Sequence, residues 1–132
     1  MSTNWVQDIA EMHNKFGVNE VVEKFDTDTA KKFFDFRISC LQEELDELKE
    51  AENGDDAVDA LIDLCVFAIG TLDVFGIDSN LAWDRVLEAN MAKSPGIKEG
   101  RPNPWGLPDL IKPTGWQAPN HRDNIGSLDQ IF

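Results

Sequence analysis

An all-α fold is predicted: a bundle of four to five helices followed by an extended Pro/Gly-rich C-terminal arm. Two observations predict it. Apolar residues recur at steps of three and four through residues 1–93, the period of a one-sided helix. All six prolines lie from Pro95 onward, together with five of the nine glycines. At 132 residues the chain has the size of a single domain, read as a helical core over 1–93 and an arm over 94–132. The 42% apolar content supports one modest core, and a short helical chain gains further burial by oligomerising.

The first helix starts near Ser2–Asn4, carries Trp5, Ile9, Met12 and Phe16 on one side, and stops at Gly17. Residues 19–25 fit one or two further helical turns. Thr27, Asp28 and Thr29 offer cap chemistry for the next helix, expected over about 29–52. There Phe34, Ile38, Leu41, Leu45 and Leu48 make one apolar stripe. At about 100° per residue, Arg37, Cys40, Glu44 and Glu47 form the adjoining row, so Glu44 and Glu47 are expected half-buried and Glu43 at the border. A turn at Asn53-Gly54-Asp55 leads to a third long helix, capped by Asp55 or Asp56 and ending at Gly76. Asp56, Asp59 and Asp63 share one of its faces. A last helix follows Asp78-Ser79, carries Leu81, Val86, Leu87 and Asn90, and ends near Lys93. In the arm, Trp105, Leu107, Leu110, Ile111 and Trp116 offer apolar surface, which suits packing on the core or a neighbouring subunit better than a flexible linker.

The charge narrows the function. The formal net charge is −13, and all of it falls within residues 1–93. So acidic a surface argues against phosphate-directed binding of nucleic acid and against docking on an anionic membrane. No apolar run reaches membrane-spanning length without a charge, and the N-terminus lacks the basic and apolar regions of a signal peptide. A cytoplasmic protein is expected. Cys40 and Cys65 read as small core side chains.

Between Glu43 and Asp63 ten carboxylates face a single lysine. One helix carries E-E-x-x-E over Glu43–Glu47, and the next runs through Asp59 and Asp63 into a long apolar stretch. A lone carboxylate in such a helix is costly unless it has a partner or a metal. Two such helices face to face would make a cage of oxygen ligands, which suits Mg²⁺ or Mn²⁺.

This arrangement resembles the all-α nucleoside triphosphate pyrophosphohydrolases of the MazG-like superfamily, whose signature is E-x-x-E on one helix and E-x-x-D on the next. Glu44 to Glu47 match the first half and Asp63 the last aspartate. The expected glutamate three residues before Asp63 is Ala60 here, with Asp59 one position earlier. The segment from Trp83 to Lys93 is similar to the superfamily's last core helix, in which Asn90 and Lys93 would reach the nucleotide's phosphates or sugar. The stretch from Lys112 to Pro119 resembles a tail of phage-type members, and Met12 to Gly17 resembles the end of their N-terminal helix. Within the superfamily the chain looks most like the phage MazZ-type enzymes, which convert dGTP to dGMP in making 2-aminoadenine DNA.

The resemblance implies hydrolysis of a (d)NTP, dGTP or GTP above others, to (d)NMP and pyrophosphate. Glu44, Glu47, Asp59 and Asp63 would hold two or more Mg²⁺ or Mn²⁺ ions. Glu43, Glu44, Glu47 and Asp63 would form the catalytic set, with Glu43 or Glu47 as base. Asn90, Lys93, Arg37, His13 and Trp116 would contact the nucleotide. A homodimer or homotetramer with shared sites is expected. Two alternatives stay open: the same fold acting on dUTP or phosphoribosyl-ATP, and a non-enzymatic acidic mimic of DNA. The mimic accounts for the charge but not for carboxylates on half-buried faces. Arg37 could equally pair with a carboxylate, His13 could lie at the core's edge, and Trp116 could simply anchor the tail.

Overall fold

A computed structural model describes residues 1–100 and 104–132. Five helices account for most of it: α1 (Trp5–Lys15), α2 (Val18–Val22), α3 (Thr27–Glu50), α4 (Gly54–Val74) and α5 (Ser79–Met91). Two three-residue strands, β1 (Ser94–Gly96) and β2 (Asp109–Ile111), pair antiparallel with Pro95 opposite Leu110. The all-α class holds, with this small ribbon as an addition that the Pro/Gly composition hid. Among the described residues no single helix is long and apolar enough to cross a membrane.

The helix ends follow local chemistry. Asn4 caps α1 by accepting from the Gln7 amide, and Gly17 ends it in the left-handed conformation, φ 68°. Asp26, one residue before the expected cap cluster, caps α3 through the Thr29 amide. Asn53, rather than Asp55 or Asp56, caps α4 by accepting from the Asp56 amide at 2.9 Å. An asparagine oxygen at the N-cap position serves as well as a carboxylate, which leaves Asp55 and Asp56 in the first turn, where negative charge suits the helix dipole.

The chain forms two compact units. The first comprises residues 1–79 and 124–132, the second residues 80–123. This grouping differs from a division at residue 93: α5 goes with the ribbon and tail loop, and the last nine residues go with the helical body.

In the first unit, α3 and α4 form a long helical hairpin joined by residues 51–53, with α1 against α4. Its apolar centre is small: Ile9, Cys40, Ala60, Val74 and Phe75. An aromatic cluster closes one end, where Phe33 and Phe34 pack on Phe75, and Phe132 packs edge-on against Phe34 at 5.4 Å. The terminal segment is held by the Ser127 amide on Phe75 O at 2.8 Å and by two bonds between Asn124 and the Asp78 backbone. Gly126 is required there, because a Cβ would lie 1.9 Å from Phe75 O.

The apolar stripe expected on α3 is only partly covered. Cys40 is buried and Arg37 and Glu44 are half-buried, while Ile38 and Leu45 remain exposed. Within one chain α4 covers the flanking row and leaves part of the stripe open.

In the second unit, α5, the ribbon and the loop 112–123 pack together. Trp116 Nε1 donates to Ala89 O at 2.7 Å, and Arg85 binds Asp123 through both guanidinium ends at 2.6 and 2.8 Å. The Pro113–Trp116 turn closes with the Trp116 amide on Pro113 O, and Gly115 takes φ 80°. That is the position of a type II turn that needs glycine.

Candidate active site

The site begins at the α3–α4 hairpin. Glu44 lies on the α3 row next to buried Cys40, so part of its side chain is enclosed. Its Oε2 is buried without a hydrogen-bond partner. Burial pushes the carboxyl above its ordinary pKa, and contact with the Glu47 carboxyl pushes the same way. The negative charges of Asp63, from α4, and of Glu43 add to the shift. Glu44 is thus the centre of a four-carboxylate group drawn from two helices.

The other members differ in exposure. Asp63 is half-buried, whereas Glu43 and Glu47 are exposed; the expectation of a half-buried Glu47 is therefore corrected. One helical turn beyond Glu44, the Glu47 side chain reaches solvent. Asp59 is exposed and does not contribute to the charge on Glu44, while Ala60 is 3% exposed and packed inside.

The chemistry of this group suits a divalent ion. The donors are all hard carboxylate oxygens, and a buried oxygen without a partner is what such an ion would satisfy. Both observations fit Mg²⁺ or Mn²⁺. Among the described residues no group of three His, Cys, Asp or Glu side chains is arranged to hold an ion as it stands, so side-chain rotation would have to close the shell.

Behind the carboxylates a polar knot fixes the helices. Arg37 donates to Thr71 Oγ1 at 2.9 Å and to Phe67 O at 3.0 Å, and lies 5.0 Å from the Phe67 ring. Among the described residues it has no carboxylate partner, and burial lowers its pKa from the ordinary value. His13, 5% exposed, sets Nδ1 2.7 Å from Asp73 Oδ2. Gly70 lies between them, with both side chains at its Cα. Arg37 and His13 thus bind α4 in this structure. Nothing in the sequence signalled the His13–Asp73 pair, whose members stand 60 positions apart.

Asn90, Lys93 and Trp116 belong to the second unit. Asn90 is exposed near the end of α5 and Lys93 is half-buried. Lys93 Nζ lies 5.2 Å from the Trp116 ring centroid, and Lys112 Nζ lies 5.1 Å from the same ring. Lys112 was not among the residues singled out in the sequence.

One comparison with known proteins is decisive. The family model for phosphoribosyl-ATP pyrophosphohydrolase matches residues 10–90, which takes in α3, α4 and the carboxylate group. The chain belongs to that family. It therefore falls within the MazG-like all-α pyrophosphohydrolases, with a nucleotide pyrophosphohydrolase activity in general. No curated protein and no solved structure matches the chain.

Proposed function

We propose that the protein is a divalent-metal-dependent pyrophosphohydrolase that converts a (d)NTP, dGTP or GTP above others, to the monophosphate and pyrophosphate. The observation that carries this reading is the Glu44 oxygen, buried without a partner and ringed by Glu47, Asp63 and Glu43. Evolutionary membership in the pyrophosphohydrolase family supports the same reaction class.

Glu44, Glu47 and Asp63 would hold Mg²⁺ or Mn²⁺, with Asp59 on the exposed side of α4 as an outer ligand. Such an ion acidifies bound water and offsets charge on phosphate oxygens when bound. The carboxylates' own part is to orient the triphosphate's α-phosphate towards α3 and to take a proton. Glu43 and Glu47, both exposed, are the members able to accept the proton of an attacking water. Water adds to the α-phosphorus, the bond to the bridging oxygen breaks, and pyrophosphate leaves. Lys93 and Asn90 would contact the phosphates or sugar, with Trp116 beside the nucleotide. Arg37 and His13 serve this reading by fixing α4 against α3 and α1. The half-covered apolar stripe of α3 favours a homodimer or homotetramer, and a cytoplasmic, phage-type setting in 2-aminoadenine nucleotide metabolism is consistent with the tail.

The family match favours a second substrate, phosphoribosyl-ATP, whose hydrolysis breaks the same α–β linkage. A nucleotide panel decides between them: each common (d)NTP and phosphoribosyl-ATP is incubated with Mg²⁺ or Mn²⁺, and products are separated by chromatography. dGMP with intact pyrophosphate supports the first reading. Turnover of phosphoribosyl-ATP alone transfers the assignment to the second, and orthophosphate as the first product contradicts both.

A further inference from the structure

From Ala60 to Leu72, α4 carries one charged residue, Asp63. A helix that apolar around its circumference belongs in an enclosed position. At about 100° per residue its faces separate cleanly. Asp63, Phe67, Gly70 and Thr71 share the side that meets α3, where Arg37 binds Phe67 O and Thr71. Val66 and Asp73 turn towards α1, where Asp73 meets His13. Val58, Leu61, Ile62, Cys65 and Ile69 fall on the remaining arc, opposite α3. That arc stays open: Val58, Leu61 and Ile62 are 61%, 49% and 44% exposed. At its edge the start of α1 leaves a cleft of about 180 Å³, lined mainly by Trp5, Ile9, Ile62, Cys65, Val66 and Ile69. A continuous apolar surface with a socket beside it marks a contact face.

Charge along the hairpin indicates what fits there. Residues 43–63, around its tip, hold ten carboxylates and one lysine. Residues 15–37, towards the other end of α3, hold Lys15, Lys24, Lys31, Lys32 and Arg37 against five carboxylates. The open arc lies between an acidic end and a balanced one. A second copy laid antiparallel buries arc against arc and brings its lysine-bearing end to the acidic tip. Laid parallel, it would set two such tips side by side, and like charges in contact are unfavourable. Antiparallel docking along the 21 residues of α4 keeps the tips roughly 30 Å apart, beyond the screening length of about 8 Å at physiological salt. Cys65 stands next to the middle residue of α4, so a two-fold axis across the arc passes close to it.

We propose that the open arc of α4 is a two-fold interface with a second copy of this chain, docked antiparallel, with the Cys65 of each copy near the axis. This goes beyond the oligomer favoured by the α3 stripe, which names neither this face nor an orientation, and it holds whichever nucleotide is the substrate.

Sedimentation of the full chain over a concentration series, with thiol cross-linking by diamide, tests it. Wild type should sediment as a dimer. Leu61→Lys, with an unchanged helical circular dichroism spectrum, should associate about a hundredfold more weakly, the loss expected when an unpartnered charge enters the centre of an interface. Ile38→Lys, on the α3 stripe, should leave the dimer intact. Diamide takes up two hydrogens as two thiols join, and should give a covalent dimer with wild type but not with Cys65→Ser. Orientation is read from Val58→Cys combined with Cys65→Ser. Antiparallel docking holds the two introduced thiols about 20 Å apart along the helices, out of disulfide reach, so no covalent dimer should form. The proposal is overturned if wild type stays monomeric throughout the series, or if Leu61→Lys associates as wild type does. Cross-linking of Cys65→Ser to the wild-type extent overturns it too, as does ready cross-linking of the double variant, the mark of a parallel pair. Dissociation by Ile38→Lys alone moves the interface to α3 and overturns it likewise, leaving the substrate assignment untouched.

Discussion

Gly70→Ala isolates the contact that sets the hairpin. Gly70 lies in α4 where α1, α3 and α4 meet, and a Cβ placed there would sit 2.5 Å from Arg37 Nη2 and 3.3 Å from His13 Cε1. Ordinary contact begins at about 3.5 Å, so the guanidinium would have to retreat by about 1 Å. Its bond to Phe67 O, now 3.0 Å, could not survive that shift. The lost charge-assisted bond costs about 1.5–3 kcal/mol and overpacking about 1–3 kcal/mol. Alanine's better helix propensity returns about 1 kcal/mol. The net is about 1.5–5 kcal/mol, which at this chain length lowers Tm by on the order of 10 °C. Thermal unfolding followed by circular dichroism measures it. A variant that melts with wild type would refute the reasoning, since α4 would then have room that the structure denies.

Three further outcomes follow from the same packing and charge. Glu44 has a raised pKa, so its protonated form favours the folded state, and metal-free stability is lost as pH rises through that raised value. Glu44→Gln should therefore melt above wild type by a margin that grows as pH rises from about 4 through the raised value; a constant or reversed margin contradicts the charge cluster. Added Mn²⁺ should raise the wild-type Tm most at the upper end of that range and leave Glu44→Gln nearly unmoved, because an ion competes with the proton for the same oxygens. Gly126→Ala would place a methyl against Phe75 O at φ 53° and release residues 124–132. The amide of Ser127, protected by Phe75 O, should then exchange about tenfold faster or more; unchanged protection would show that the segment accommodates a side chain.

The helices were legible because their signals are local. Period, caps and glycine stops placed all five within a few residues, and the Glu44–Asp63 relation followed from helix rows on a hairpin. The rest depends on what lies opposite in space. Asn53 and Asp55 are equally good caps on paper, and only the backbone decides between them. The α3 stripe through Ile38 and Leu45 obeys the helical period, yet α4 covers the row of Arg37, Cys40 and Glu44, so the period marked an apolar face without naming its neighbour. His13 with Asp73, Arg37 with Thr71, and Lys93 with Trp116 are pairings across long separations that leave no trace in spacing. The ribbon of β1 and β2 is three residues a side, too short for an alternating pattern to register.

If the carboxylates around Glu44 carry out the hydrolysis, Asp63→Asn and Asp46→Asn must differ sharply in turnover. Asp63 faces the site, whereas Asp46 is exposed and accepts from Gln42 on the outer face of α3 at 2.9 Å. Monophosphate release should be measured at saturating nucleotide and Mg²⁺ for both variants. Asp63→Asn should lose about 10²–10³-fold in kcat, the loss expected when charge stabilisation at the reacting phosphate is removed. Asp46→Asn should stay within about twofold of wild type. Equal rates in Asp63→Asn and wild type would contradict the account, and would move the chemistry away from the α3–α4 hairpin.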